Sequence, residues 1–98
     1  MSSYILKVLD NEATVPQSTS VASSFTQAKR LRLVNRSSSD RTITIVQSQG
    51  GTVIGTFTMA PLAAGGGDGD IIIEKDYTHC VFADGNRVVG VKVGIVGY

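Results

Sequence analysis

Apolar and polar residues alternate along most of this chain. The alternation has the two-residue period of a half-buried strand, not the 3.6-residue period of a helix. Residues 3–9 open the pattern with Tyr4, Leu6 and Val8 on one face. Residues 29–35 follow, with Leu31 and Leu33 inward and Arg30 and Arg32 outward. Residues 41–47 put Ile43 and Ile45 inward between Thr42 and Thr44, and Gln49-Gly50-Gly51 then turns the chain. Residues 52–59 return with Phe57 and Met59 on one face, ended by Pro61, which has no N–H to give to a ladder. In residues 70–74 the run Ile71-Ile72-Ile73 does not alternate, so both faces are expected to be covered. Residues 77–83, the turn Asp84-Gly85-Asn86 and residues 87–96 read as a second hairpin, with Val89, Val91, Val93 and Ile95 on one face and Val88, Gly90, Lys92, Gly94 and Val96 on the other. The expected architecture is all-β: one domain over residues 1–98, an antiparallel β-sandwich of six to seven strands joined mainly by hairpins. Leu31, Leu33, Ile43, Ile45, Phe57, Ile72, Val91 and Val93 are its expected core.

One stretch breaks the pattern. Residues 13–28 are rich in Ser, Thr and Gln, with only Val15, Val21 and Phe25 as apolar anchors. A structureless connection of this length is uncommon inside a compact domain. It is expected to be a long polar surface loop with a short strand inside it, or an arm lying on a neighbouring subunit.

Composition agrees with the strand pattern. Of 98 residues, 29 are Val, Ile or Thr, side chains that suit a pleated surface. The net charge of +1 gives no global case for nucleic acid or an anionic membrane. Cys80 has no partner for an internal disulfide, and small secreted domains often depend on such links. With no signal-peptide pattern at the start, synthesis in a reducing cytoplasm is expected. The sequon Asn35-Arg36-Ser37 then carries no meaning.

Candidate chemistry is thin. His79 and Cys80 are adjacent, and strand neighbours point to opposite faces, so they do not chelate one ion. A phosphate-cradling loop opens a helix and carries a Lys, whereas the glycines of residues 65–69 are followed by Asp70 and three Ile. Asp68 and Asp70 could offer a weak cation site, but a surface loop is the simpler reading. The expectation is therefore no enzyme, no cofactor, no metal and no small-molecule substrate.

Charge distribution carries the remaining signal. Lys29, Arg30, Arg32, Arg36 and Arg41 face only Asp40 in their stretch, while Asp68, Asp70, Glu74, Asp76 and Asp84 face only Lys75 in theirs. Two readings stand: the patches neutralise each other within one molecule, or one subunit's basic patch meets acidic groups on a partner. The second makes Arg30, Arg32, Arg36, Arg41, Asp68, Asp70, Glu74 and Asp76 candidate interface residues, with Val15, Val21 and Phe25 as anchors of the arm.

The run Leu31-Arg32-Leu33-Val34-Asn35, then Thr42-Ile43-Thr44-Ile45, then residues 54–61, and the close from Ile73-Glu74-Lys75-Asp76 through Val89-Gly90-Val91-Lys92-Val93 to Tyr98 resemble small β-sandwich virion proteins of tailed bacteriophages, notably marine and cyanobacterial ones. The resemblance covers roughly residues 29–98 and rests on pattern rather than on an invariant motif. It implies a virion structural protein: a capsid cement or decoration subunit, or a small neck or tail component. It implies the major capsid or tail protein, or copies of the chain itself, as partners, assembly in the host cytoplasm, and no catalytic residue. A receptor- or carbohydrate-binding module is the rival class.

Overall fold

A computed structural model describes residues 4–62 and 69–97. Eight strands form: β1 (Tyr4–Val8), β2 (Ala13–Thr14), β3 (Arg30–Asn35), β4 (Arg41–Val46), β5 (Val53–Met59), β6 (Asp70–Glu74), β7 (Cys80–Ala83) and β8 (Val88–Gly97). A 3-10 turn occupies Thr19–Val21, and there is no α-helix among the described residues. The fold is all-β, and every strand pairing is antiparallel.

The strands divide into two sheets. The larger runs β1-β8-β3-β6, with β2 also on β8; the smaller runs β5-β4-β7. β8 is the spine of the larger sheet. One of its edges takes β3, from Leu31 opposite Lys92 to Asn35 opposite Val88. The other takes β1 and then β2. Leu9 N donates to Lys92 O at 2.9 Å and Val15 N to Val88 O at 2.8 Å, so the ladder continues past both short strands.

Besides the strand count, which is eight among the described residues against the six to seven expected, two sequence expectations need correction. The strands are not joined mainly by hairpins: β4 and β5 are the one pair of successive strands that are also neighbours in a sheet. The Asp84-Gly85-Asn86 turn does not close a hairpin, because β7 pairs with β4 while β8 pairs with β3. The turn is fastened to β4 instead. Thr42 N donates to Asp84 Oδ1 at 3.0 Å, and the Arg41 guanidinium donates to Asn86 O and Oδ1, each at 3.1 Å.

The second correction is the inward face of β8. Gly90 lies opposite the core residue Leu33, and Val88 itself belongs to the core, so Val88, Gly90 and Lys92 face inward. Val91 and Val93 are buried as expected, but on the other face, beside Val34. The reason lies in volume. A methyl at position 90 would sit 3.0 Å from Phe25 Cε1 and 3.2 Å from Leu33 Cδ2, so glycine leaves room for a ring supplied by another segment.

One buried cluster draws Leu31 and Leu33 from β3, Ile43 from β4, Met59 from β5, Val81 and Ala83 from β7 and Val88 from β8, and so takes side chains from both sheets. Val15, Phe25 and Ala28 complete it. Ile45, Phe57, Ile71 and Ile73 pack against it half-buried. Ile72, expected in the core, points away from these two isoleucines and is also half-buried.

Candidate interaction surface

The charged strands meet each other. β3 and β6 pair with Arg30 opposite Glu74 and Arg32 opposite Ile72, two residues along β6 from Asp70 and on the same face. Arg32 Nε and Nη2 donate to the two carboxylate oxygens of Asp70 at 2.9 and 2.5 Å, a bidentate pair. This grip holds the Asp70 carboxyl below its ordinary value. Arg30 lies 3.2 Å from Glu74, and Arg36 lies 3.9 Å from Glu12. Arg41 is committed to Asn86. The basic and acidic stretches therefore join neighbouring strands of one sheet, and the partner expected for Arg30, Arg32, Asp70 and Glu74 is found within the chain. Asp76 is exposed and accepts from Thr78 N and Oγ1, which lowers its pKa. Asp68 lies outside the described residues.

The anchors of the polar stretch are corrected more sharply. Val15 is fully buried and Phe25 is 7% exposed, both in the chain's own core, so neither can anchor on a neighbour. Val21 is 55% exposed. The segment also covers the free edge of β7. Ala83 N donates to Pro16 O, and Ser23 exchanges two backbone hydrogen bonds with Val81. Ala22 packs with Val46, Cys80 and the half-buried Phe82 as a second small cluster.

The end of this segment is backbone under strain. Phe25, Thr26 and Gln27 all have positive φ, at 52°, 58° and 58°. Left-handed backbone costs a non-glycine residue roughly 1 kcal/mol or more. Three side chains hold the turn. Lys75, 8% exposed, donates its ammonium to Ala28 O at 2.7 Å, His79 O at 2.8 Å, Ser24 O at 3.1 Å and Asp76 O at 3.3 Å. Lys92 Nζ donates to Thr26 O, and Thr26 Oγ1 donates to Asp10 Oδ2 at 2.6 Å. Burial pushes the Lys75 pKa down, against the attraction of neighbouring acidic groups. The carbonyl cage is the compensation that a buried cation requires. Sequence reasoning missed Lys75; its one signal was a lone cation in an acidic stretch.

Asn35 is also fully buried. Its Nδ2 donates to Ser39 O and Met59 O, and its Oδ1 accepts from Ser37 N and Oγ. The sequon side chain is thus spent on tying the β3–β4 turn to the end of β5. His79 is half-buried and Cys80 buried. No group of three metal-ligating side chains comes together among the described residues.

Two surfaces stand out among the described residues. One is a cleft of about 630 Å3 lined by Lys29, Arg30, Glu74, Lys75, Asp76 and Tyr77. The other is β5. It lies at the end of its sheet, contains no charged residue, and exposes Val53 and Ile54 by 55% and 50%. Alternation had put Phe57 and Met59 on one face here; what it could not show is that, among the described strands, β5 pairs with β4 alone. No protein-family model matches the chain, and no curated protein or solved structure matches it.

Proposed function

We propose that the two sheets stack as an antiparallel β-sandwich and that the protein is a non-enzymatic virion structural subunit. In this reading it is a capsid cement or decoration protein that stabilises a phage head through protein–protein contacts. It is made in the host cytoplasm and ends in the particle, against the major capsid protein, a tail protein or copies of itself. The observation that supports an assembly role is the uncharged edge of β5, unpaired among the described residues. Unpaired strand edges template the addition of another strand, and soluble monomers usually guard them with charge, proline, bulges or a covering segment; of these β5 has only a bulge near its start. The test is to separate intact particles from soluble protein on a density gradient and to quantify the chain by mass spectrometry. It should band with heads at a fixed ratio to the major capsid protein. Recovery only in the soluble fraction would overturn the reading.

A second reading, a carbohydrate- or receptor-binding module, draws on the open cleft. Tyr77 is 49% exposed there beside Glu74, Asp76 and Arg30, and an aromatic face flanked by carboxylates suits a sugar. Glycan-array binding that Tyr77→Ala abolishes would favour this second reading.

A further inference from the structure

The outer strand edges of the two sheets are not equivalent. The edge of β7 is covered by Pro16 and Ser23. β6 carries Asp70 and Glu74 at its ends, and β1 carries Lys7. Leaving aside the two-residue β2, β5 alone among the described edge strands has neither a charge nor a cover. Its seven residues are Val-Ile-Gly-Thr-Phe-Thr-Met.

The direction of its free backbone groups follows from its neighbour. Thr42 O accepts from Asp84 N, on the β7 side of β4. Backbone groups alternate sides along a strand, so Ile43 turns its N–H and C=O toward β5 and forms the hydrogen-bonded pair with Phe57. Gly55 and Phe57 therefore bond to β4, and Thr56 and Thr58 direct their N–H and C=O outward. Ile54 is the extra residue of a bulge, between Gly55 opposite Ile45 and Val53 opposite Val46.

We propose that β5 pairs antiparallel with β5 of a second copy of this chain, about a two-fold axis through Thr56, joining two three-stranded sheets into one of six strands. This deepens the reading of the chain as an assembly subunit and rests on it. The strand is complementary to itself in that register. Thr56 meets Thr56 as a hydrogen-bonded pair, with two main-chain bonds across the axis. Ile54 meets Thr58 on the same face. On the other face Gly55 meets the partner copy's Phe57, and the space above Gly55 is empty to 4 Å. A ring laid over a glycine on the opposite strand covers backbone that would otherwise be wet. With no charged residue in the strand, self-pairing sets no like charges against each other.

The test uses mass in solution. Light scattering across a concentration series should show the wild type passing from the 10.3 kDa chain to twice that mass. Thr56→Lys and Thr56→Glu should each weaken the dimer at least about tenfold, because residue 56 meets itself. An equimolar mixture of the two should recover a heterodimer. Amide exchange at Thr56 and Thr58 should slow at least about tenfold in concentrated wild type, which tests the register without any variant. The proposal is overturned if the wild type keeps the mass of one chain up to about 0.1 mM, or if Thr56→Lys dimerises like the wild type. Gradient sedimentation with particles separates the two levels. A wild type that is monomeric alone but bands with heads removes the self-pairing and keeps the assembly role. If Thr56→Lys then also loses the particle, the edge belongs to a strand of another protein. A wild type that neither dimerises nor bands with heads removes both.

Discussion

Residues 13–28 and β5 exchange the places their composition suggests. The first is a Ser/Thr-rich stretch, yet it puts Val15, Ala22, Phe25 and Ala28 out of solvent and covers the edge of β7. The second, Val53–Met59, has the alternation and β-branched content of a core strand, yet Val53, Ile54, Thr56 and Thr58 are exposed. The difference is one of edges. A polar stretch that reaches a free strand edge can pair its backbone there and bring a few apolar side chains inside with it. A strand at the end of a sheet leaves half its backbone and much of its surface outside, however apolar its sequence. Burial here follows from position in the sheet more than from local hydrophobicity.

The contrast can be broken most forcefully at Phe25. Phe25→Ala should cost about 3–5 kcal/mol in denaturant unfolding, the range for removing a buried ring. Gly90→Ala should cost about 1–3 kcal/mol through overpacking against that ring, and the penalty should largely vanish in the Phe25→Ala background. Additive losses would mean that the two positions do not share one space.

Lys75→Met should cost about 1–3 kcal/mol, since it removes the donor from buried carbonyls that hold the left-handed turn. Its pH dependence has a definite sign. Burial depresses the folded-state pKa, so below the ordinary value of 10.5 the unfolded chain binds more protons than the folded one. The Lys75 contribution therefore makes wild-type stability rise as pH climbs through that window. Lys75→Met should lack this slope when melting is followed across the same pH range.

The ion pair between β3 and β6 should matter less. Asp70→Asn should cost at most about 1 kcal/mol, because both partners are about one-third exposed and screened by solvent. Asp70 is depressed below its ordinary value. Its contribution is complete above the ordinary carboxylate range and is lost as pH falls through the folded pKa. The gap between wild type and variant should close in acid. The smallest effect belongs to β5: Ile54→Thr should change stability by less than about 0.5 kcal/mol, although the substituted residue is a strand isoleucine.

The strands themselves were legible because period-two alternation and turn residues are local properties. Arg41–Val46, Val53–Met59 and Asp70–Glu74 lie where the pattern placed them, with ends displaced by no more than a residue. The short strand expected within residues 13–28 is β2, and it could not be placed because two residues, Ala13 and Thr14, carry no periodicity. The charge segregation was visible too, together with both of its explanations. Which one holds depends on whether β3 and β6 are neighbours, and that pairing links residues 38 apart in the chain, Arg32 and Asp70.

The chain's own sequence determined its class and most strand positions, since each depends on which side chains stand near each other along the chain. Tertiary structure alone decided that Asp84–Asn86 crosses between sheets, that Val88 rather than Val91 faces the core, that Lys75 lies in a cage of carbonyls, and that β5 keeps an open edge. Each of these depends on which segments share an edge or a volume, and a one-dimensional pattern records the faces of a strand without recording what lies beside it.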